Sequence, residues 1–259
     1  MEPQPDADVL GEFLISARSL DEYRAIFALT DTELRDRRIL DCPGGAASFT
    51  TEASELGASV TAADPIYARP PAELRALALA ETDRASAWAR AHHDGYQWDW
   101  YGSPDRHHAM RAAAAAGFGT DITTNPHRYI AASLPSLPFA DNSFDLVLSS
   151  HLLFSYTDRL DAEFHVAALL ELSRVASGET RLYPLVDNLG RPQDELLIHL
   201  RRELHDKGIE TSLRATEYEF HHGATSLLVL HAPAGADADP RLERVRPGDR
   251  NPYSARKKK

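Results

Sequence analysis

The stretch ILDCPGGAASFTTEASELGASVTAADP, from Ile39 to Pro65, restricts the fold more than any other part of this 259-residue chain. Ile39 and Leu40 close an apolar strand, and Pro43-Gly44-Gly45 allow a tight turn. Ser48 stands where it can cap a helix that runs to Leu56 and stops at Gly57. Ala58 to Ala63 then read as a second strand with Asp64 at its carboxyl end. Strand, glycine turn, helix and strand make one unit of a doubly wound α/β sheet. An acid about 20 residues beyond such a turn is placed to hold the two hydroxyls of a ribose, so a nucleoside-containing ligand is expected.

The composition of the turn narrows the ligand. A pyrophosphate needs G-x-G-x-x-G and a bare helix N-terminus, whereas here the turn reads D-C-P-G-G-A-A-S with no lysine or arginine nearby. Asp41 would repel a pyrophosphate and suits a cationic ligand. A second segment, LPFADNSFDLVLSSHLLF from Leu137 to Phe154, has Pro138 and Phe139 fixing a loop and Asp141-Asn142 making a turn. Asp145 then introduces the apolar strand Leu146-Val147-Leu148.

In this order and on these elements, the two segments resemble the glycine-turn motif and the L-P-F-x-D-x-S-F-D-x-V stretch of class I S-adenosylmethionine (SAM) methyltransferases. The likeness runs from about Tyr23 to His231 and is closest to a bacterial branch of the family. It implies a Rossmann-like, seven-stranded, mostly parallel sheet with a C-terminal antiparallel hairpin and a helical insertion. It also implies SAM as cofactor and a methyl group passed to a small-molecule acceptor. Carried onto this sequence, the family's cofactor contacts fall at Asp41, Pro43, Gly44, Gly45, Ser48, Asp64, Ser133, Leu134 and Ser149. Pro43 and Ala47 replace two family glycines, and Ser133 replaces an acid that often contacts the adenine amino group. These departures leave open a SAM-fold binding or regulatory protein without transfer activity. A nicotinamide-dependent Rossmann oxidoreductase is disfavoured by the turn and by the closing hairpin.

The expected organisation is a helical preface over residues 1–38, a methyltransferase-like domain over 39–233 with an insertion at about 66–128, and a basic tail over 234–259. Ser19 with Glu22 and Thr30 with Glu33 fit the capping-box pattern, which predicts two short helices in the preface. Pro70-Pro71 opens a helix reaching about Arg90, HHDGYQWDWYGSPDRHH breaks it, and Ala109 to Ala116 resumes it. Leu160, Phe164, Ala168, Leu172 and Val175 mark one amphipathic helix, and Leu196, Leu197, Leu200 and Leu204 another. A fifth strand is expected over Thr180 to Val186, with Pro184 near its end or at a bulge. Glu210 to Phe220 and Thr225 to His231 are expected as a hairpin joined tightly at His222-Gly223-Ala224.

In-line displacement at a sulfonium mainly requires a nucleophile held close, aligned and dry. His151 is the candidate for catalysis, because it follows the fourth strand, where open α/β sheets bind ligands, and can titrate near neutrality. Tyr156, Tyr183 and Asp187 are weaker candidates at the same edge. Tyr23, Trp98, Tyr101 and Tyr156 are expected around the substrate, with a satellite core beneath the insertion as the competing reading for the aromatic cluster. The pairs His92-His93, His107-His108 and His221-His222 lack metal-site spacing, so no metal is expected. Cys42, the single cysteine, reads as a small buried filler.

A net charge of −11 argues against a broad nucleic-acid surface. From Arg241 to Lys259, however, eight basic and two acidic residues give +6, which leaves about −17 for the rest of the chain. Only that tail offers a site for an anionic partner such as nucleic acid. The acidic N-terminus and the lack of a long apolar run fit a cytoplasmic protein that needs no membrane.

Overall fold

Apolar residues alternate along the central strands, and each alternate set faces a different helical layer. Ile39, Leu146, Leu148, Leu227 and Val229 point to one face, while Leu40, Val147, Leu228 and Leu230 point to the other. The structure, a computed structural model, describes residues 13–231. Its seven-stranded sheet has the order β3-β2-β1-β4-β5-β7-β6. The strands are β1 (Arg38–Asp41), β2 (Ser59–Ala63), β3 (Tyr129–Ile130), β4 (Phe144–Ser150), β5 (Ala176–Tyr183), β6 (Glu210–Ala215) and β7 (Ser226–His231). β7 runs antiparallel to both β5 and β6, and the other pairings are parallel. The fold is therefore the doubly wound sheet with a terminal hairpin that the two motifs imply.

Helices α1 (Leu20–Phe27) and α2 (Asp31–Leu34) precede the sheet, and both start at complete capping boxes, Ser19 with Glu22 and Thr30 with Glu33. α3 (Phe49–Glu55) follows the glycine turn, and α1 and α3 cover one face of the sheet. α6 (Ala162–Val175) and α7 (Asp194–Asp206) cover the other. The insertion is a long helical pair, α4 (Pro71–Ala91) and α5 (Pro104–Thr124), packed over the β2-β3 edge. No described helix is long and apolar enough to cross a membrane. The basic tail from Arg241 onward lies outside the described residues.

Three expectations need correction. Ser48 begins α3 but its hydroxyl makes no capping bond; its Oγ turns instead to the Glu52 carboxylate and the Arg18 carbonyl. β5 runs over Ala176–Tyr183 rather than Thr180 to Val186, and Pro184 lies just past its end, near the strand end as expected, where it removes no ladder donor. β6 ends at Ala215, well short of Phe220. The link from Thr216 to Thr225 is thus a loop that carries Tyr218, Phe220 and His221 away from the ladder and over the carboxyl edge of the sheet. Tyr183 holds that loop, its hydroxyl donating to the Ala224 carbonyl at 2.9 Å and the Tyr218 carbonyl at 3.3 Å.

The preface is fastened to the sheet by a buried ion cluster. Arg181 of β5 is 1% exposed and donates to Glu33 at 2.6 Å, Glu179 at 2.9 Å and the Phe27 carbonyl at 3.0 Å. Arg181→Leu would leave both acids buried without that cation. Such a loss typically costs about 3–5 kcal/mol, so urea unfolding should show a drop of that order. A variant as stable as the parent would mean that the preface docks without the cluster.

Candidate active site

The carboxyl edge of the sheet is roofed by the segment from Leu14 to Arg18, which hydrogen bonds fix on both sides. On one side, Ala46 and Ser48 donate their amides to the Ser16 and Arg18 carbonyls at 3.1 and 3.0 Å. On the other, the Leu14 amide donates to the Tyr156 hydroxyl at 2.9 Å, and the Ile15 amide to Glu81 at 3.2 Å. From below, Arg111 of α5 donates to the Ala17 carbonyl at 2.8 Å. The segment separates two regions, the glycine turn and a polar cleft.

At the turn, Asp64 accepts the Gly45 amide and the Ile66 amide, each at 3.0 Å, and burial raises its carboxyl pKa. Asp41 is fully buried, and the Tyr23 hydroxyl lies 2.9 Å from both of its oxygens. Burial, with the Asp64 charge adding to it, pushes the Asp41 carboxyl up to about 8. Both glycines are needed for close packing. A Cβ on Gly44 would lie 2.5 Å from the Tyr67 hydroxyl, and one on Gly45, where φ is +52°, would lie 2.9 Å from the Ser16 carbonyl. The Tyr67 hydroxyl donates to the Gly45 carbonyl at 2.9 Å, and its ring packs edge-on against Tyr129.

Past the turn lies a solvent-open cleft, about 790 Å³ of empty space with the open solvent at its mouth included, between the Leu14–Arg18 segment, the helices α4 and α5, and the loops after β4, β5 and β6. His151, Tyr156, Asn188 and His221 reach it from the sheet side, and Trp88, Tyr96 and His107 from the insertion. His151 has φ of +53°, and neither of its ring nitrogens has a partner among the described residues. Burial, reinforced by Arg18 and His221, lowers its pKa well below the usual imidazole value. Burial likewise lowers His221 to about 4 and His107 to about 2. At neutral pH these three imidazoles are therefore uncharged.

Of the residues singled out from sequence, His151 and Tyr156 line the cleft. Tyr23 instead lies beneath the turn, stacked on Phe49 with ring centroids 4.2 Å apart. Tyr101 is fully buried with its hydroxyl 2.6 Å from Glu22, and Trp98 packs against Phe220 and His107. Tyr101 and Trp98 form core under the insertion, and Tyr23 forms core beneath the turn. Asp187 shapes its own loop by accepting the Leu189 and Arg191 amides, each at 2.9 Å. Ser133 is exposed; Leu134 and Ser149 are buried away from the cleft. Pro43 is partly buried at the turn, and Cys42 is buried beside it. Arg18, Arg111 and Tyr67 were not singled out, and His221 only within a pair that lacks metal-site spacing, because each is positioned by contacts distant in sequence that leave no local pattern.

The family described as "Methyltransferase domain" matches residues 84–183, from α4 through β4 to the end of β5. Over that stretch, which is less than half of its length, the chain is similar to a methyltransferase domain. A relative in Methanocaldococcus jannaschii, the protein MJ0045, is 28% identical over 85% of this chain and 97% of its own length. Among solved structures, the magnesium protoporphyrin IX methyltransferase of Synechocystis with bound SAM aligns at a TM-score of 0.42 and 14% identity, over 82% of this chain and 77% of its own. A SAM-dependent methyltransferase of Methanosarcina mazei aligns at 0.42 and 17%, over 77% and 93% respectively.

The turn has acceptors that could suit SAM, with a carboxylate at the end of β2 for a ribose diol and one at the end of β1 for an ammonium group. The space is not open in this conformation. The Tyr67 hydroxyl occupies the approach to Gly44, the Ser16 carbonyl covers Gly45, and Asp64 spends its oxygens on backbone amides. Tyr67→Ala removes the ring over Gly44 and should raise the affinity for S-adenosylhomocysteine measured by calorimetry. An equal or lower affinity would show that the ring does not stand in the cofactor's way.

Proposed function

We propose that the protein transfers a methyl group from SAM to a small-molecule acceptor held in the cleft beside His151. The reading is supported by the methyltransferase-domain match, which spans β4 and His151, and above all by the coincidence of that strand end with the cleft. The neighbour from Burkholderia thailandensis, a 1,6-didemethyltoxoflavin-N1-methyltransferase bound to its small-molecule substrate and S-adenosylhomocysteine, aligns at a TM-score of 0.40 and 12% identity, over 77% of this chain and 72% of its own. It adds no weight at that level of similarity.

SAM supplies an electrophilic methyl on a sulfonium, and the protein's own share of the work is positioning and exclusion of water. Asp64 is the proposed ribose contact and Asp41 the contact for a cationic group, with Gly44, Gly45, Pro43 and Ser48 around them. A cation beside Asp41 would favour its ionised form, so ligand binding and proton release are coupled there. His151 is neutral at working pH and has both ring nitrogens free among the described residues. It can therefore accept the acceptor's proton without first losing one of its own. Tyr156 holds the Leu14 amide and so shapes the wall of the cleft.

Two experiments test this assignment. Losing a charged hydrogen-bond acceptor costs on the order of 1.5–3 kcal/mol, so Asp64→Ala should lose that much S-adenosylhomocysteine affinity in calorimetry; parental binding would remove the assignment. His151→Asn should keep cofactor affinity and lower turnover by ~10²–10⁴-fold, the range for a lost acid-base group. The pH profile adds a sign. Because the pKa of His151 is depressed, the imidazole stays neutral as pH falls through 6.5, so the acid limb of turnover should lie below that value. A limb centred on the ordinary imidazole value, or a variant with unaltered kinetics, would exclude His151 as the base. Cofactor binding with no methylated product from any acceptor would favour a binding protein.

A further inference from the structure

Arg18 is the unexplained charge of the cleft. It is 6% exposed and lines the cleft wall. One guanidinium nitrogen bonds the Ser16 hydroxyl, Nε has no partner, and no carboxylate of the described residues lies within ion-pair distance. Isolated buried cations are costly and are normally paired.

The other charged groups that line the cleft have partners, and His108 lies 3.7 Å from Asp83. Arg111 lies 3.0 Å from Glu22 and also donates to the Tyr101 hydroxyl and the Ala17 carbonyl. Glu81 accepts the Ile15 amide and pairs with Arg84 at 2.7 Å. His107, His151 and His221 are neutral at pH 7, because burial depresses all three pKa values. The cleft thus carries one uncompensated positive charge.

We propose that the cleft takes an apolar monocarboxylic acid, with its carboxylate on the Arg18 guanidinium and its hydrocarbon or aryl body against the walls formed by Leu14, Ala85, Trp88 and Phe220. The planar fork of a guanidinium matches a carboxylate in shape and charge. A doubly charged phosphate would instead leave one negative charge buried without a partner. The free nitrogens of His151 offer a donor and an acceptor to any further polar group on the ligand. On the transfer reading above, this acid is the methyl acceptor; its binding is a separate claim and needs no cofactor.

The test is calorimetry of the full chain at pH 7 without cofactor, using benzoate, phenylacetate and hexanoate, each beside its amide, and inorganic phosphate. At least one acid should bind tenfold or more tightly than its amide and more tightly than phosphate. Arg18→Gln should weaken that acid by roughly 10- to 100-fold, as for a lost charge-assisted hydrogen bond, and Arg18→Lys should restore part of the loss. Equal binding of acid and amide, no binding by any acid, tightest binding by phosphate, or an Arg18→Gln variant with parental affinity would each overturn the proposal. Should Arg18→Gln fail to fold by circular dichroism, the acid-against-amide comparison in the parent decides. A parallel titration with S-adenosylhomocysteine reports on the transfer reading alone, so either claim can fail without the other.

Discussion

The carboxylate of Glu22 is wholly buried, and three otherwise separate parts of the chain meet on it. Within α1 it closes the capping box by accepting the Ser19 amide at 2.9 Å. From the insertion it receives Arg111 at 3.0 Å and the Tyr101 hydroxyl at 2.6 Å. Tyr101 in turn meets the Tyr218 hydroxyl of the β6-β7 loop at 2.6 Å. A single charge of this kind is tolerated in an apolar interior only when most of its lone pairs are matched. Preface, insertion and terminal loop must therefore dock together, and the cleft is the space left between them.

The same network explains the fate of the aromatic cluster. Tyr101 and Trp98 are spent on Phe220, His107 and Tyr218, which pack around the buried carboxylate of Glu22. A cage open to a ligand would expose Glu22 and Arg111 to solvent and weaken their attraction. Of the aromatics from Tyr96 to Tyr101 only Tyr96 lines the cleft, beside Trp88, His107 and Phe220, and the Trp88 indole donates to its hydroxyl at 3.1 Å.

What could be read from the sequence was what local spacing encodes. The capping boxes at Ser19 and Thr30, the alternation in β1, β4 and β7, and the stripes of α6 and α7 all depend on neighbours within a few residues, and all appear in the fold. The position of His151 at the cleft was legible for the same reason, since it follows an apolar strand directly. The β6-β7 loop misled because Tyr218 and Phe220 look like a strand continuing, whereas their side chains are drawn off towards Tyr101 and the cleft. Arg18 and Tyr67 carried no signal. Their significance arises only once residues distant in sequence, such as Glu81, Tyr156 and Gly45, come beside them.

The roof from Leu14 to Arg18 has two surfaces. Its Ser16 carbonyl covers Gly45 at the turn, and its Arg18 side chain forms a wall of the cleft. No ligand that needs the Gly45 surface can enter without displacing this strand of backbone, and the displacement carries the guanidinium with it. Occupancy on one side is thus thermodynamically linked to occupancy on the other, with the same coupling energy whichever ligand arrives first.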